Sequence, residues 1–253
     1  MNLSNVFRRL ILAEIEALPA AQTGRPQAIS PTLALDHIFK ALRTGMQWRE
    51  VEASVSYSTI FRRFQVWTSA HIFRRAYARA LQTYGRLHPT RYYCIDSSYT
   101  KNRFGQRGLG RNHTDRGRKA LKLSIVTDQN GESYGARTDP GNRPDVTLLS
   151  ASLDAMLLNN IERVPLYADR GYDSRNNRRI CVNAGLADRI FRRRTKTVRR
   201  TNGRRIVVGH AFAWLNRFRR LLLCFEQTPS VYLSFVFLAM GHHLSNRFLN
   251  QIL

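Results

Sequence analysis

The chain has 253 residues, 43% of them hydrophobic, enough to bury the core of one large domain or of a small and a medium one, which excludes a disordered basic tail. Its 41 Lys+Arg against 17 Asp+Glu give a formal net charge of +24, a field that attracts polyanions and favours nucleic acid over a membrane surface as partner. Codon bias can explain why arginine outnumbers lysine, but not why acids are scarce.

Residues 1 to about 85 read as helical. Arg8 and Arg9 precede an apolar stretch as they would in a secretory signal, but Glu14 and Glu16 interrupt it, so secretion is not expected. Ser30-Pro31 starts a helix, with serine able to cap and proline tolerated in the first turn. Leu33, Leu35, Ile38, Phe39 and Leu42 recur at helical spacing, and Thr44-Gly45 stops it. A further helix begins near Ser56 to Thr59, with Ile60, Phe61, Phe64 and Trp67 on one face and Arg62, Arg63 and Gln65 on the other. Short helices with a basic face suit a helix-turn-helix DNA reader, and equally an ordinary helical subdomain.

The pattern changes after Leu87-His88-Pro89. Strands are expected at 92–98, 121–127 and 133–138, with Asp128-Gln129-Asn130-Gly131 as the hairpin between the last two. A helix over 146–158, a strand ending at Asp169, a helix near 175–184 and a strand at 188–191 follow, and the remainder from 206 reads as helical. This order describes an α/β fold, a mixed sheet flanked by helices and preceded by an all-α, helix-turn-helix-like region. The expected boundary puts a DNA-binding domain at 1–87 and a catalytic domain at 88–253. The apolar run 231–240 is too short to span a bilayer.

Cys94, Cys181 and Cys224 lie scattered in apolar stretches, the pattern of buried thiols in a reducing compartment, and the histidines form no metal-ligand spacing. A soluble intracellular protein is expected: cytoplasmic and nucleoid-associated in a bacterium, with a nuclear or viral host compartment left open.

Two apolar runs end on a carboxylate. Tyr92-Tyr93-Cys94-Ile95 leads to Asp96, and Leu166-Tyr167-Ala168 leads to Asp169, which a glycine turn follows. A lone aspartate after a strand more often caps a turn. Two of them in an acid-poor, arginine-rich chain point instead to magnesium or manganese held by hard oxygen ligands for phosphodiester chemistry. Asp96 and Asp169 are therefore the expected catalytic and metal-binding residues. Arg62, Arg63, Arg111, Arg116, Arg118, Lys119, Lys122, Arg170, Arg192, Arg193 and Arg194 are expected to hold DNA; the last three belong to the block 189–205, which carries nine basic residues, no acid, and the pattern of a loop that orders on phosphate.

The stretch 110–122, Asp169-Arg170-Gly171-Tyr172-Asp173-Ser174, and Phe212-Ala213-Trp214-Leu215-Asn216-Arg217-Phe218-Arg219-Arg220-Leu221 together resemble DDE transposases of the insertion-sequence-five group. Leu42-Arg43-Thr44-Gly45-Met46-Gln47-Trp48-Arg49 is similar to a segment of that group's N-terminal helical domain. The resemblance covers roughly residues 24 to 245. It implies an RNase H-like core, binding to terminal inverted repeats, and metal-dependent DNA cleavage and strand transfer by a homodimer on double-stranded DNA. Asp96 and Asp169 match the family's first two acids, and Asn142 and Asp145 a supporting pair. The third acid, a glutamate, is replaced by Gly209 in Val208-Gly209-His210-Ala211-Phe212. Glu226, the acid downstream, is the possible substitute, while His210 offers a nitrogen poorly matched to magnesium. Two alternatives stay open: a non-catalytic DNA-binding derivative or repressor, and a nuclease that hydrolyses without joining.

Overall fold

Ser4 opens the first helix by accepting the Phe7 N–H, and α1 (Asn5–Glu16) buries Val6, Phe7 and Ile11. The Ser30 hydroxyl accepts the Leu33 N–H at 3.2 Å and Pro31 occupies the first turn of α2 (Pro31–Thr44). Gly45, at φ +71°, closes that helix in the left-handed conformation that a side chain rarely adopts. α3 (Tyr57–Ser69) and α4 (Ile72–Leu87) complete the N-terminal set. The computed structural model describes residues 2–19, 29–51, 54–102, 108–158, 163–192 and 203–250.

The remaining elements are β1 (Tyr93–Asn102), β2 (Gly110–Arg111), β3 (Lys119–Thr127), β4 (Ser133–Pro140), α5 (Leu149–Asp154), β5 (Pro165–Ala168), α6 (Arg175–Asn183), β6 (Ala187–Ile190), α7 (Ile206–Leu215), α8 (Arg219–Leu222), β7 (Leu223–Cys224) and α9 (Pro229–Leu244). β3 lies antiparallel between β4 and β1, and β5 and β6 continue the sheet parallel to β1. This antiparallel trio extended by two parallel strands is the RNase H-like sheet that the resemblance implied. The hairpin forms where Asn130-Gly131 marks it: Asp128 Oδ1 accepts the N–H groups of Asn130 and Glu132, and Gly131 takes φ +82°.

Several details differ from the sequence reading. β1 runs on to Asn102 because its far end pairs with β7, a two-residue strand inside a region expected to be helical. The helix expected over 146–158 is a 3-10 turn at Asp145–Thr147 followed by α5, since the chain leaves the helix to bridge Met156 to Gly135. The apolar α9, which buries nearly every side chain, packs against α3, α4 and α2. Its Phe235 sits 4.4 Å from Phe64, ring centre to ring centre, and Tyr77 of α4 donates to Ser133 O at 2.6 Å. The N-terminal helices thus share one core with the C-terminal helix and lean on the sheet. No helix among the described residues is long and apolar enough to cross a membrane.

Candidate active site

Parallel pairing of β1 with β5 aligns Tyr93 with Leu166 and Cys94 with Tyr167. Asp96 and Asp169 each lie two residues further on, so the same register sets Asp96, inside β1, beside Asp169, just past the end of β5, on one face of the sheet. Arg205, the residue before α7, lies between them: its guanidinium donates to Asp169 Oδ1 at 3.1 Å and to Asp96 Oδ2 at 3.3 Å. Its neighbour Arg204 anchors the approach, hydrogen-bonding the Tyr167 hydroxyl and lying 5.5 Å and 5.4 Å over the rings of Tyr92 and Tyr167.

The two acids differ in environment. Asp169 is exposed, its side chain 53% accessible, whereas Asp96 is half-buried. Burial pushes the Asp96 carboxyl above the usual carboxylate range, with Asp169 and Asp145 adding to the rise; the Ser97 N–H, donating at 2.8 Å, and Arg205 oppose it. Beneath, the buried Cys94 thiol is pushed up to about 12 by desolvation, which keeps it protonated and inert.

A third carboxylate reaches β1 and the turn after β5. Asp145 Oδ1 accepts from Ser97 Oγ at 2.7 Å and from Lys122 Nζ at 2.9 Å. Its Oδ2 would stand 3.0 Å from a Cβ at residue 171, a tight approach at which a side chain there would make Asp145 give by a few tenths of an ångström. Lys122 also donates to Arg143 O at 2.8 Å and sits 4.7 Å from the Tyr99 ring centre. From α6, Asn177 Nδ2 ties Val146 O and Tyr172 O together.

Two expectations fail here. Lys122, expected on DNA, is 2% exposed and committed to Asp145, because β3 is covered on both faces. Glu226, the possible substitute for the third acid, is 3% exposed and held by Arg220 at 2.6 Å, with the guanidinium over Trp48. Parallel pairing sets β7 beside Lys101 and Asn102, five and six residues past Asp96 and roughly 17 Å or more along β1, and Glu226 follows two residues after β7. Burial pushes its carboxyl up, against the pull of Arg220.

Gly209 is exposed on α7, and a Cβ there meets nothing within 4 Å. It follows Arg205 by four residues, one helical turn, so a side chain at 209 would share the face from which Arg205 reaches the acids. His210 is exposed on the same helix. Of the expected DNA contacts, Arg111, Arg116, Arg118 and Lys119 are exposed on and around the β2–β3 loop, where Asn112 caps the turn through Thr114. Asn142 packs against Gly110 at the base of that loop. Arg62 is exposed on α3, but Arg63 is half-buried and burial lowers its pKa, so the basic face of that helix is narrower than expected. Arg170 and Arg192 are exposed beside the acids and after β6; Arg193 and Arg194, with most of the basic block, lie outside the described residues.

Sequence reasoning missed Arg205 as part of the site, counting it only among the block's basic residues, and missed the Ser97–Asp145–Lys122 chain. Helical spacing to position 209 was the available signal for Arg205. The donor set suits a hard divalent cation, since two carboxylates already converge on one cationic group. Among the described residues no group of three His, Cys, Asp or Glu is gathered closely enough to hold a metal ion unaided.

The "Transposase DDE domain" family matches residues 87–242, and a family described as "Putative transposase of IS4/5 family" matches residues 10–77. A curated relative, "Putative transposase for insertion sequence element IS402" of Burkholderia cepacia, is 37% identical over 153 residues, 58% of this chain and 71% of the relative. Among solved structures, a pre-cleavage Mos1 transpososome aligns at TM-score 0.34 and 10% identity, covering 93% of this chain and 83% of its own. The catalytic domain of Mos1 mariner transposase aligns at 0.33 and 12%, covering 72% and 91%.

Proposed function

The chain belongs to the transposase DDE domain family, and we propose that it acts at the ends of an insertion-sequence element, binding terminal inverted repeats and cutting and rejoining DNA at Asp96 and Asp169. The observation that carries this reading is the shared register of the two acids around one cationic group. Asp96 and Asp169 would hold a divalent cation, magnesium or manganese, which when bound supplies charge neutralisation at phosphorus and a more acidic attacking oxygen. Asp169, the exposed acid, faces the incoming strand; Asp96, half-buried and hydrogen-bonded by the Ser97 N–H, is fixed in place. Arg111, Arg116, Arg118 and Lys119 would grip the DNA backbone and set its position, with Arg62 contributing from α3. Engagement of two element ends calls for a homodimer on DNA, in a cytoplasmic, nucleoid-associated setting.

The test is Asp169→Asn, assayed for inverted-repeat binding and for cleavage with magnesium or manganese. Binding persists and cleavage disappears if Asp169 is catalytic; joint loss of both would mark it as structural and overturn the reading.

A second reading is favoured by one observation, the empty position at Gly209. If cutting needs the glutamate that the family resemblance implies at this position, the chain would bind inverted repeats without cutting them, as a repressor of active copies. Protein that retards inverted-repeat DNA but leaves it uncut with either metal would support this reading over catalysis.

A further inference from the structure

We propose that Asp145 is a positioning residue of the active site, a carboxylate paired with buried Lys122 that locks β1 at Ser97 to the turn after β5 so that Asp96 and Asp169 face one another. The inference rests on the reading of those two acids as the metal-holding pair.

Asp145 is the group that touches every part of the site's frame. It accepts from Ser97, the residue that follows Asp96 and whose N–H fixes the Asp96 carboxylate. Its other oxygen lies close against Gly171, two residues past Asp169, 3.0 Å from where a Cβ would stand. Through Lys122 it is fastened to β3, the strand paired with β1 along Cys94 to Lys101. Asn177 holds the two backbone turns together from behind. The contacts therefore run in series from Asp96 through Ser97 and Asp145 to Gly171 in the turn after Asp169, and Arg205 joins the two acids on the other side.

Charge explains why an ammonium is buried here. The Asp145 carboxylate carries its charge into the frame beside Ser97, 2.7 Å from the hydroxyl. Lys122, 2% exposed, cancels that charge at 2.9 Å and is itself satisfied by Arg143 O and the Tyr99 ring. The same pairing argues against Asp145 as a replacement for the acid absent at 209. Its Oδ1 already accepts two hydrogen bonds, one from a cation, and a divalent ion would have to displace that cation. Groups that orient metal ligands from behind typically change metal affinity by about 10- to 100-fold when removed.

The experiment is a double-mutant cycle read by manganese binding, followed by electron paramagnetic resonance on the full-length chain without DNA. Ser97→Ala is one arm. Lys122→Met with Asp145→Ala is the other, removing both charges so that neither is stranded. Each arm is expected to weaken manganese binding about tenfold, and Ser97→Ala to cause no further loss when added to the second arm. Ser97→Thr, which keeps the hydroxyl, is expected to bind as wild type, a rescue that a merely structural role would not require. Additive losses, or wild-type affinity in Ser97→Ala, would overturn the proposal. If the second arm does not fold, the Ala against Thr contrast at 97 still decides it. Asp169→Asn serves as the reference: retained manganese binding there would sink the reading of the acids themselves, independently of Asp145.

Discussion

Arg205 donates to Asp169 at 3.1 Å, and through its other terminal nitrogen to Asp96 at 3.3 Å, so that one guanidinium balances both acids from the residue preceding α7. A divalent cation held by the same two carboxylates has to compete with it.

Arg205→Ala is accordingly expected to raise manganese affinity about tenfold, the equivalent of one charge-assisted hydrogen bond of roughly 1.5 kcal/mol. Calorimetric titration of the metal checks it, with Arg205→Lys as the charge-retaining comparison. Weaker binding in the alanine variant would show instead that Arg205 supports the acids rather than competing for them.

Glu226 and Arg220 form a buried pair, 3% and 4% exposed at the side chain. Glu226→Gln strands the guanidinium and is expected to cost about 3 kcal/mol of stability. Urea unfolding measures that loss, while manganese affinity stays unchanged because the pair lies away from the acids. A loss of metal binding at full stability would place Glu226 in the site after all.

The β3–β4 hairpin carries a buried acid on the side facing α4 and α9. Burial pushes the Glu132 carboxyl up to about 8, with Asp128 adding to the rise and Arg247 opposing it. An acid whose folded pKa is raised binds more protons when folded, so its contribution to stability is lost as pH climbs toward that value. His242 and His243, lowered to about 4 by burial, act oppositely, but their effect is complete above the ordinary histidine range near pH 6.5. Between about pH 6.5 and 8 the melting temperature is therefore expected to fall as pH rises, and Glu132→Gln to flatten that slope. Thermal melts across this window decide it; an unchanged slope in the glutamine variant would remove Glu132 as its source.

The exposed cluster at Arg111, Arg116, Arg118 and Lys119 makes a separate claim about DNA. Replacing all four by alanine is expected to lower the salt dependence of inverted-repeat binding by about 0.9 in log–log slope for each phosphate that is no longer neutralised. Fluorescence anisotropy over a salt series gives the slope directly. An unchanged slope would move the backbone grip elsewhere on the surface.

Local signals in the chain carried much of this arrangement. Ser30-Pro31 and Thr44-Gly45 bracket α2 as their capping chemistry requires, and Asn130-Gly131 marks the hairpin. The apolar runs ahead of Asp96 and Asp169 became β1 and β5; the second stops at the glycine turn, while the first continues past Asp96 to Asn102. What escaped is non-local. Lys122 reads as one more basic residue until the fold brings Asp145 against it, twenty-three positions later. Nothing near Leu223 and Cys224 signals a strand, since its partner is the far end of β1. α9 reads simply as apolar, and its packing against helices more than 140 residues earlier has no signature along the chain. Arg205 needed both the helix and the register of β1 and β5 before its position between the acids could be seen.

The most direct test of the central claim is magnesium-dependent cleavage of DNA carrying the element's inverted repeats, comparing wild type with Gly209→Glu. Position 209 opens into free space on the Arg205 face of α7, so glutamate fits there, and it is the better helix former. The account predicts that wild type cuts at the element end and that Gly209→Glu, with a carboxylate on the Arg205 face, cuts faster at equal DNA binding. Intact DNA binding with no cleavage by either protein would contradict it, for Asp96 and Asp169 would then not be a catalytic pair.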